Sequence, residues 1–408
     1  MADRVSVVLT VYNMESCLRE TMDSVLEQTY RDLEVICIDD GSTDKSLEIL
    51  EAYASDDDRV SVYTQENAGP AQSRNRGLDL ATGEYVMLLD SDDLYDREMI
   101  EKLHGRAIDT AADVVVCRSA EYDHRTKTVS KAPWTAKVEQ IPAKDPFSCS
   151  DMYDYVLMAF IGWPWDKLYR RSFIEAHSLR FPAMSNSEDL YFVFLSLVLA
   201  ERMSFFDEVL IRHRVNRTGS VSNTRTANPT EFYRGICLLK EKLKEDPVRY
   251  ERMSWGFLNW AFDYTLWNIE TLPEGPVRRE LIEKLAGGGF PEIELSYHGT
   301  AYFTLMPDCI ERYESLLAEL GGNAPCNPRE NEKHPRLSYV TAFFAEAQKR
   351  GFKSAIGDVV YWAIDKIKGE ERDEKRLAKD RGALLLFADA REAERTDTTR
   401  RKTGYERG

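Results

Sequence analysis

The chain has 408 residues, a hydrophobic content of 43% and a formal net charge of −16. That length allows two or three domains around a large core. A pI near 5.0 argues against nucleic acid as a partner, because phosphate binding needs a basic face, and against a strongly polybasic membrane anchor.

In chain order, Val5 to Leu9 is an apolar, β-branched run that reads as a strand, with Thr10-Val11-Tyr12-Asn13 turning out of it. Leu18, Met22, Val25 and Leu26 follow at helical spacing. Leu33 to Ile38 is a second strand, ending in Asp39-Asp40-Gly41-Ser42-Thr43-Asp44. Ser42 or Thr43 is expected to cap the helix carrying Leu47, Leu50 and Ala54. Val60 to Tyr63 is a third strand, and Pro70 to Ala81 a helix stopped by Gly83. Tyr85 to Leu89 reads as a fully buried fourth strand, running into Asp90-Ser91-Asp92-Asp93 and then a helix with Met99, Ile100, Leu103 and Ala107. Asp113 to Cys117 is a fifth strand. Such alternation predicts an α/β fold with a mostly parallel, Rossmann-like sheet covered by helices on both faces.

Residues 121 to 150 read as a loop or hairpin excursion, and Leu190 to Ala200, too short to span a bilayer, as a buried helix. From about residue 226 the pattern is helical, with Trp255, Phe257, Trp260, Tyr264 and Trp267 forming a stripe that reads as core. Gly287-Gly288-Gly289 and Asn323 to Pro335 read as loops, and the tail from Asp365 as a charged helix with an apolar patch at Leu384 to Phe387. Seven scattered cysteines without a C-x-x-C pair read as buried free thiols in a reducing cytoplasm. Met1-Ala2-Asp3-Arg4 leaves no room for a signal peptide ahead of the first strand. The expected division is an α/β domain over residues 1–225, a helical domain over 226–368 and a charged tail over 369–408.

Ligands of open α/β sheets bind beyond the carboxyl ends of the strands. Thr10 to Asn13, Asp39-Asp40 and Asp90 to Asp93 all fall at such ends. Three crowded carboxylates raise one another's pKa or recruit a cation, and a hard divalent ion shared with a substrate diphosphate relieves the repulsion. The alternative for Asp93 is a helix cap. A carboxylate at Asp40 can accept from a base imide or a ribose hydroxyl, and Tyr12 can stack on a base. Arg74, near the start of a helix with Asn67-Ala68-Gly69-Pro70, offers a donor fork to a diphosphate. Ser187-Glu188-Asp189 opens an apolar helix, either as a cap with favourable dipole placement or as the seat of a general base. His213, Arg214 and Arg217 can add a metal ligand and cations.

Together these stretches resemble the family 2 glycosyltransferases of the GT-A fold. The likeness rests on Val5 to Asn13, Asp39 to Asp44, Asn67 to Gly77, Asp90 to Asp93, Trp165-Asp166-Lys167-Leu168-Tyr169-Arg170-Arg171, Ser187 to Asp189 and His213 to Ser222, and covers about residues 3–225. It implies metal-dependent, inverting transfer of a sugar from a UDP-sugar to a hydroxyl of a glycan or lipid-linked saccharide, in cell-surface polysaccharide synthesis. Carried over by position, Thr10, Val11, Tyr12, Asn13, Asp40 and Asn67 surround the nucleoside, and Arg74 faces the diphosphate. Asp90 and Ser91 lie beside ribose or donor sugar, Asp92 with Asp90 ligates Mn²⁺ or Mg²⁺, and Asp189 is the base. His213 matches a variable position among the metal ligands, and Asp93 is left as a cap. The competing reading is a non-catalytic GT-A-like protein that binds a glycan or serves as a scaffold. A nucleotidyltransferase would want a glycine-rich phosphate loop after the first strand, and an Asp-x-Asp phosphatase its acid pair there. The helical C-terminal region is expected to make oligomer contacts or to rest on the inner face of the plasma membrane.

Overall fold

The computed structural model describes residues 4–217 and 226–285, with residues 312 and 315. Gly287 to Gly289, Asn323 to Pro335 and the tail, including Leu384 to Phe387, lie outside the described residues.

The sheet begins with four parallel strands. β1 (Val5–Val11) lies between β2 (Leu33–Asp39) and β4 (Tyr85–Asp90), and β3 (Val60–Thr64) flanks β2. Every residue of β1 except Thr10 is buried, as is every residue of β4 except Asp90. That explains their unbroken apolar sequence, since strands covered on both faces cannot alternate. The crossover helices are α1 (Leu18–Leu26), α2 (Ser46–Asp56) and α3 (Pro70–Leu80). α3 sits so close to β1 that a Cβ on Gly77 would lie 2.2 Å from Val8 Cγ1.

Beyond β4 the order departs from simple alternation. β5 (Leu94–Tyr95) follows, then α4 (Met99–Thr110), β6 (Val114–Asp123) and β7 (Val129–Lys131). β6 and β7 form a hairpin in the region expected to hold one. The neighbour of β4 is not β6 but β8 (Lys167–Arg170), inserted antiparallel between them. After α5 (Arg171–Ala176) and α6 (Glu188–Leu199), β9 (Met203–Val215) runs parallel to β6 and pairs antiparallel with β5.

Two caps differ from expectation. α2 is preceded by Lys45 rather than capped by Ser42 or Thr43. α4 begins at Met99 behind Glu98, so Asp93 is not its cap. The reason is tertiary: β5 pairing with β9 holds Leu94–Tyr95 extended.

Three helices complete the described part: α7 (Glu231–Lys244), α8 (Pro247–Glu270) and α9 (Pro276–Lys284). Phe257 and Trp260 of α8 are buried in the same apolar cluster as Phe192 and Phe194 of α6, with Trp255 and Tyr264 packed against it. The aromatic stripe is therefore mostly core, while Trp267 is exposed. Among the described residues no helix is long and apolar enough to cross a membrane.

Candidate active site

The carboxyl ends of β1, β2 and β4 bring the polar clusters to one rim. Thr10 is opposite Asp90, and Val11 is opposite Asp39. Val11 buries its side chain, so only its backbone faces the rim, where its carbonyl accepts from the Asp40 N–H at 2.9 Å. Tyr12 is 44% exposed, which leaves its ring open to stacking. Asn13, at φ 53°, is taken up by the β2 loop. Its Oδ1 accepts from the Thr43 N–H at 2.8 Å, and its own N–H donates to Ser42 Oγ at 3.0 Å.

Asp40 is buried and accepts from Gln65 Nε2 at 2.7 Å and from the N–H groups of Ala68 and Gly69 at 2.9 and 2.8 Å. Its charge thus lies at the N-terminus of α3 and shapes the turn carrying exposed Asn67. Gly41 is required beside it. Its φ is 74°, and a Cβ there would stand 3.0 Å from the Asn67 nitrogen.

The acid cluster is built from Asp90, Asp92 and Asp93, whose oxygens lie within 4.8 Å of one another. Ser91 between them is buried. Burial, then Asp93 and Asp90, push the Asp92 carboxyl above its ordinary range, although Arg217 pulls the other way. Three crowded oxygen donors at a strand end, one of them still raised despite its arginine partner, fit a hard divalent cation. Asp93 is fully buried and holds β9, accepting from the Arg214 N–H at 2.8 Å and from His213 Nδ1 at 3.1 Å. His213 bonds Asp93 through Nδ1 at the edge of the cluster, outside the set of three whose oxygens all lie within 4.8 Å of one another, and its ring stacks on Trp165 at 5.2 Å. Burial disfavours its charge, but Asp93, Asp92 and Asp90 outweigh that and lift it to about 9. His213 is thus held beside Asp93 through its Nδ1.

Arg74 connects this cluster to the start of α6. One terminal nitrogen donates to Glu188 Oε1 at 2.6 Å and the other to Asp90 Oδ1 at 2.9 Å. The fork expected to face a diphosphate is spent, at least in part, on two carboxylates. Asp189, half-buried beside Glu188, accepts from the Leu190 N–H at 2.9 Å. Burial, then Glu188 and Asp90, raise its carboxyl to about 7 against the pull of Arg74. Ser187 does occupy the cap position of α6, at φ 60°, but its side chain makes no capping bond.

Arg217, expected to supply a cation, pairs with Asp92. Three participants carried no role of their own in the sequence. Glu188 was read only as half of an acidic pair. Trp163 lies 4.9 Å from the His213 ring. Lys167, fully buried, ion-pairs with Asp166 and donates to the carbonyls of Ile161 and Trp163 at 3.0 and 2.8 Å. The only signal for Lys167 was its place in the Trp165 to Arg171 stretch.

The family model described as Glycosyl transferase family 2 matches residues 6–175. The uncharacterized glycosyltransferase YibD of Escherichia coli (strain K12) is 30% identical over 256 residues, covering 60% of this chain and 72% of YibD. Glycosyltransferase GlyA of Streptococcus pneumoniae is 29% identical over 230 residues, covering 55% of this chain and 32% of GlyA. The chain spans 32% to 62% of the length of the first four curated relatives it matches. Among solved structures, S. aureus TarS 1–349 in complex with UDP-GlcNAc superimposes with a TM-score of 0.61 at 20% identity, over 81% of this chain and 98% of that one. The fold is accordingly the GT-A fold anticipated from the sequence. With the motifs in order along that fold and the match to YibD covering most of the relative, the chain belongs to glycosyltransferase family 2.

Proposed function

We propose that the protein transfers a sugar from a UDP-sugar to a hydroxyl of a saccharide or lipid-linked saccharide, with inversion, in the synthesis of a cell-surface polysaccharide. The observation that carries this reading is the Arg74 bridge. It joins Asp90 of the acid cluster to Glu188, the chain neighbour of Asp189, whose carboxyl is raised to about 7, and so supports a base working beside a cation site. The UDP donor is favoured by the open ring of Tyr12 at the rim and by the UDP-GlcNAc held by TarS.

Asp92 and Asp90, with Asp93 behind them, would hold the Mn²⁺ or Mg²⁺ that, when bound, supplies positive charge to the departing diphosphate. Arg217, already beside Asp92, adds a second charge there. Tyr12 stacks on the base, and Asp40 fixes the Gln65–Gly69 turn that borders it. Asp189 takes the acceptor proton as the hydroxyl oxygen attacks the anomeric carbon on the face opposite the diphosphate. The C–O bond to the diphosphate breaks in the same displacement, so configuration inverts. A base near pH 7 is matched to this task at neutrality.

The test is UDP release from a panel of UDP-sugars, with Mn²⁺ and with EDTA. Metal-dependent release supports the reading, and its absence with every donor contradicts it in favour of a non-catalytic glycan binder.

A further inference from the structure

Trp134, in the short turn Pro133–Thr135, is 44% exposed. Single exposed aromatics are common and mean little alone. This one begins a stack that leads to the acid cluster. Its ring meets Trp163 edge-on at 5.4 Å, Trp163 lies 4.9 Å from His213, and His213 bonds Asp93. Trp165 closes the stack from within, 5.1 Å from Trp163.

The loop bearing Trp163 is held firmly. Lys167 buries its ammonium under it and gives two bonds to the carbonyls of Ile161 and Trp163. Burying an ion pair is unfavourable unless geometry and further bonds offset the lost hydration. A Cβ on Gly162 would lie 2.9 Å from Phe194, so the loop also rests directly on α6.

Resting on the glycosyl-transfer reading, we propose that Trp134, set edge-to-face against Trp163, forms the platform on which a sugar ring of the acceptor lies as its hydroxyl enters the site. One face of a pyranose presents C–H groups, which are apolar and slightly positive. The negative face of an indole complements them, while ring hydroxyls at the edge stay free for polar partners. The ligand class is therefore a saccharide, and Lys167 is a positioning residue for the platform.

The experiment uses the full chain labelled with 5-fluorotryptophan, whose seven tryptophans are followed by fluorine NMR. The probes are methyl glucoside, methyl galactoside, methyl N-acetylglucosaminide, cellobiose and maltose. At least one is expected to shift the Trp134 and Trp163 signals and leave Trp255 and Trp260 in place. Trp134→Ala, a surface change, should weaken that binding roughly fivefold to tenfold. No shift at Trp134 or Trp163 with any probe, equal binding by Trp134→Ala, or a shift with n-octanol alone would overturn the proposal. Metal-dependent UDP release without these shifts overturns the platform only. Shifts without UDP release from any donor leave a saccharide site and overturn the transfer reading.

Discussion

Arg217 donates from Nε and from a terminal nitrogen to the same oxygen of Asp92, at 3.1 and 3.0 Å, with both side chains largely buried. A guanidinium and a divalent cation therefore compete for one carboxylate oxygen. Arg217→Ala is expected to bind Mn²⁺ several-fold more tightly in the absence of nucleotide, and to bind UDP more weakly in its presence. Titration calorimetry with Mn²⁺ alone checks this, and unchanged or weaker Mn²⁺ binding contradicts it.

Asp189 must be deprotonated to accept a proton, and its carboxyl is raised to about 7. Transfer should be flat above that pH and fall about tenfold per unit below it. Asp189→Asn should lower turnover by roughly 10²–10⁴ and retain UDP binding. A pH–rate profile that is unmoved between pH 5 and 8, or near wild-type turnover in the variant, would rule out this base.

Arg74 and Glu188 are almost fully buried as a pair. Arg74→Ala leaves Glu188 charged without its partner, and the expected loss of stability is about 3–5 kcal/mol. Arg74→Ala combined with Glu188→Gln should recover part of it. Urea unfolding followed by circular dichroism measures both, and equal losses in the single and double variants would show that the ion pair is not the cause.

Gly77 permits the close approach of α3 to β1. Gly77→Ala gains helix propensity but drives a methyl into Val8, and overpacking of this kind costs about 1–3 kcal/mol. The sign is the test: a higher melting temperature in the alanine variant would mean that Val8 yields freely.

The parallel half of the sheet was legible because buried strands write themselves as apolar runs, and the rim because polar clusters follow those runs directly. What was hidden depends on partners far apart in sequence. Arg74 meets Glu188 across 114 residues, and Asp93 meets His213 across 120. Nothing local distinguishes such an aspartate from a helix cap, so Asp93 was misassigned. β8 escaped notice because it has only four residues and includes a lysine and an arginine. Lysine at a buried strand position contradicts the apolar pattern that marks the other strands. Trp163 carries no spacing signal at all.

That late strand has a consequence for how the molecule comes into being. β4, which ends in the acid cluster, keeps one open apolar edge until β8 is made some eighty residues later and docks against it in reverse. Edges of this sort recruit other chains, and pairings between distant segments form slowly. A nascent or truncated chain ending before Lys167 would hold every carboxylate of the cluster yet expose the flank of its central strand. Such a chain should be found in aggregates rather than in solution, as expected if the first 166 residues are not a self-sufficient folding unit.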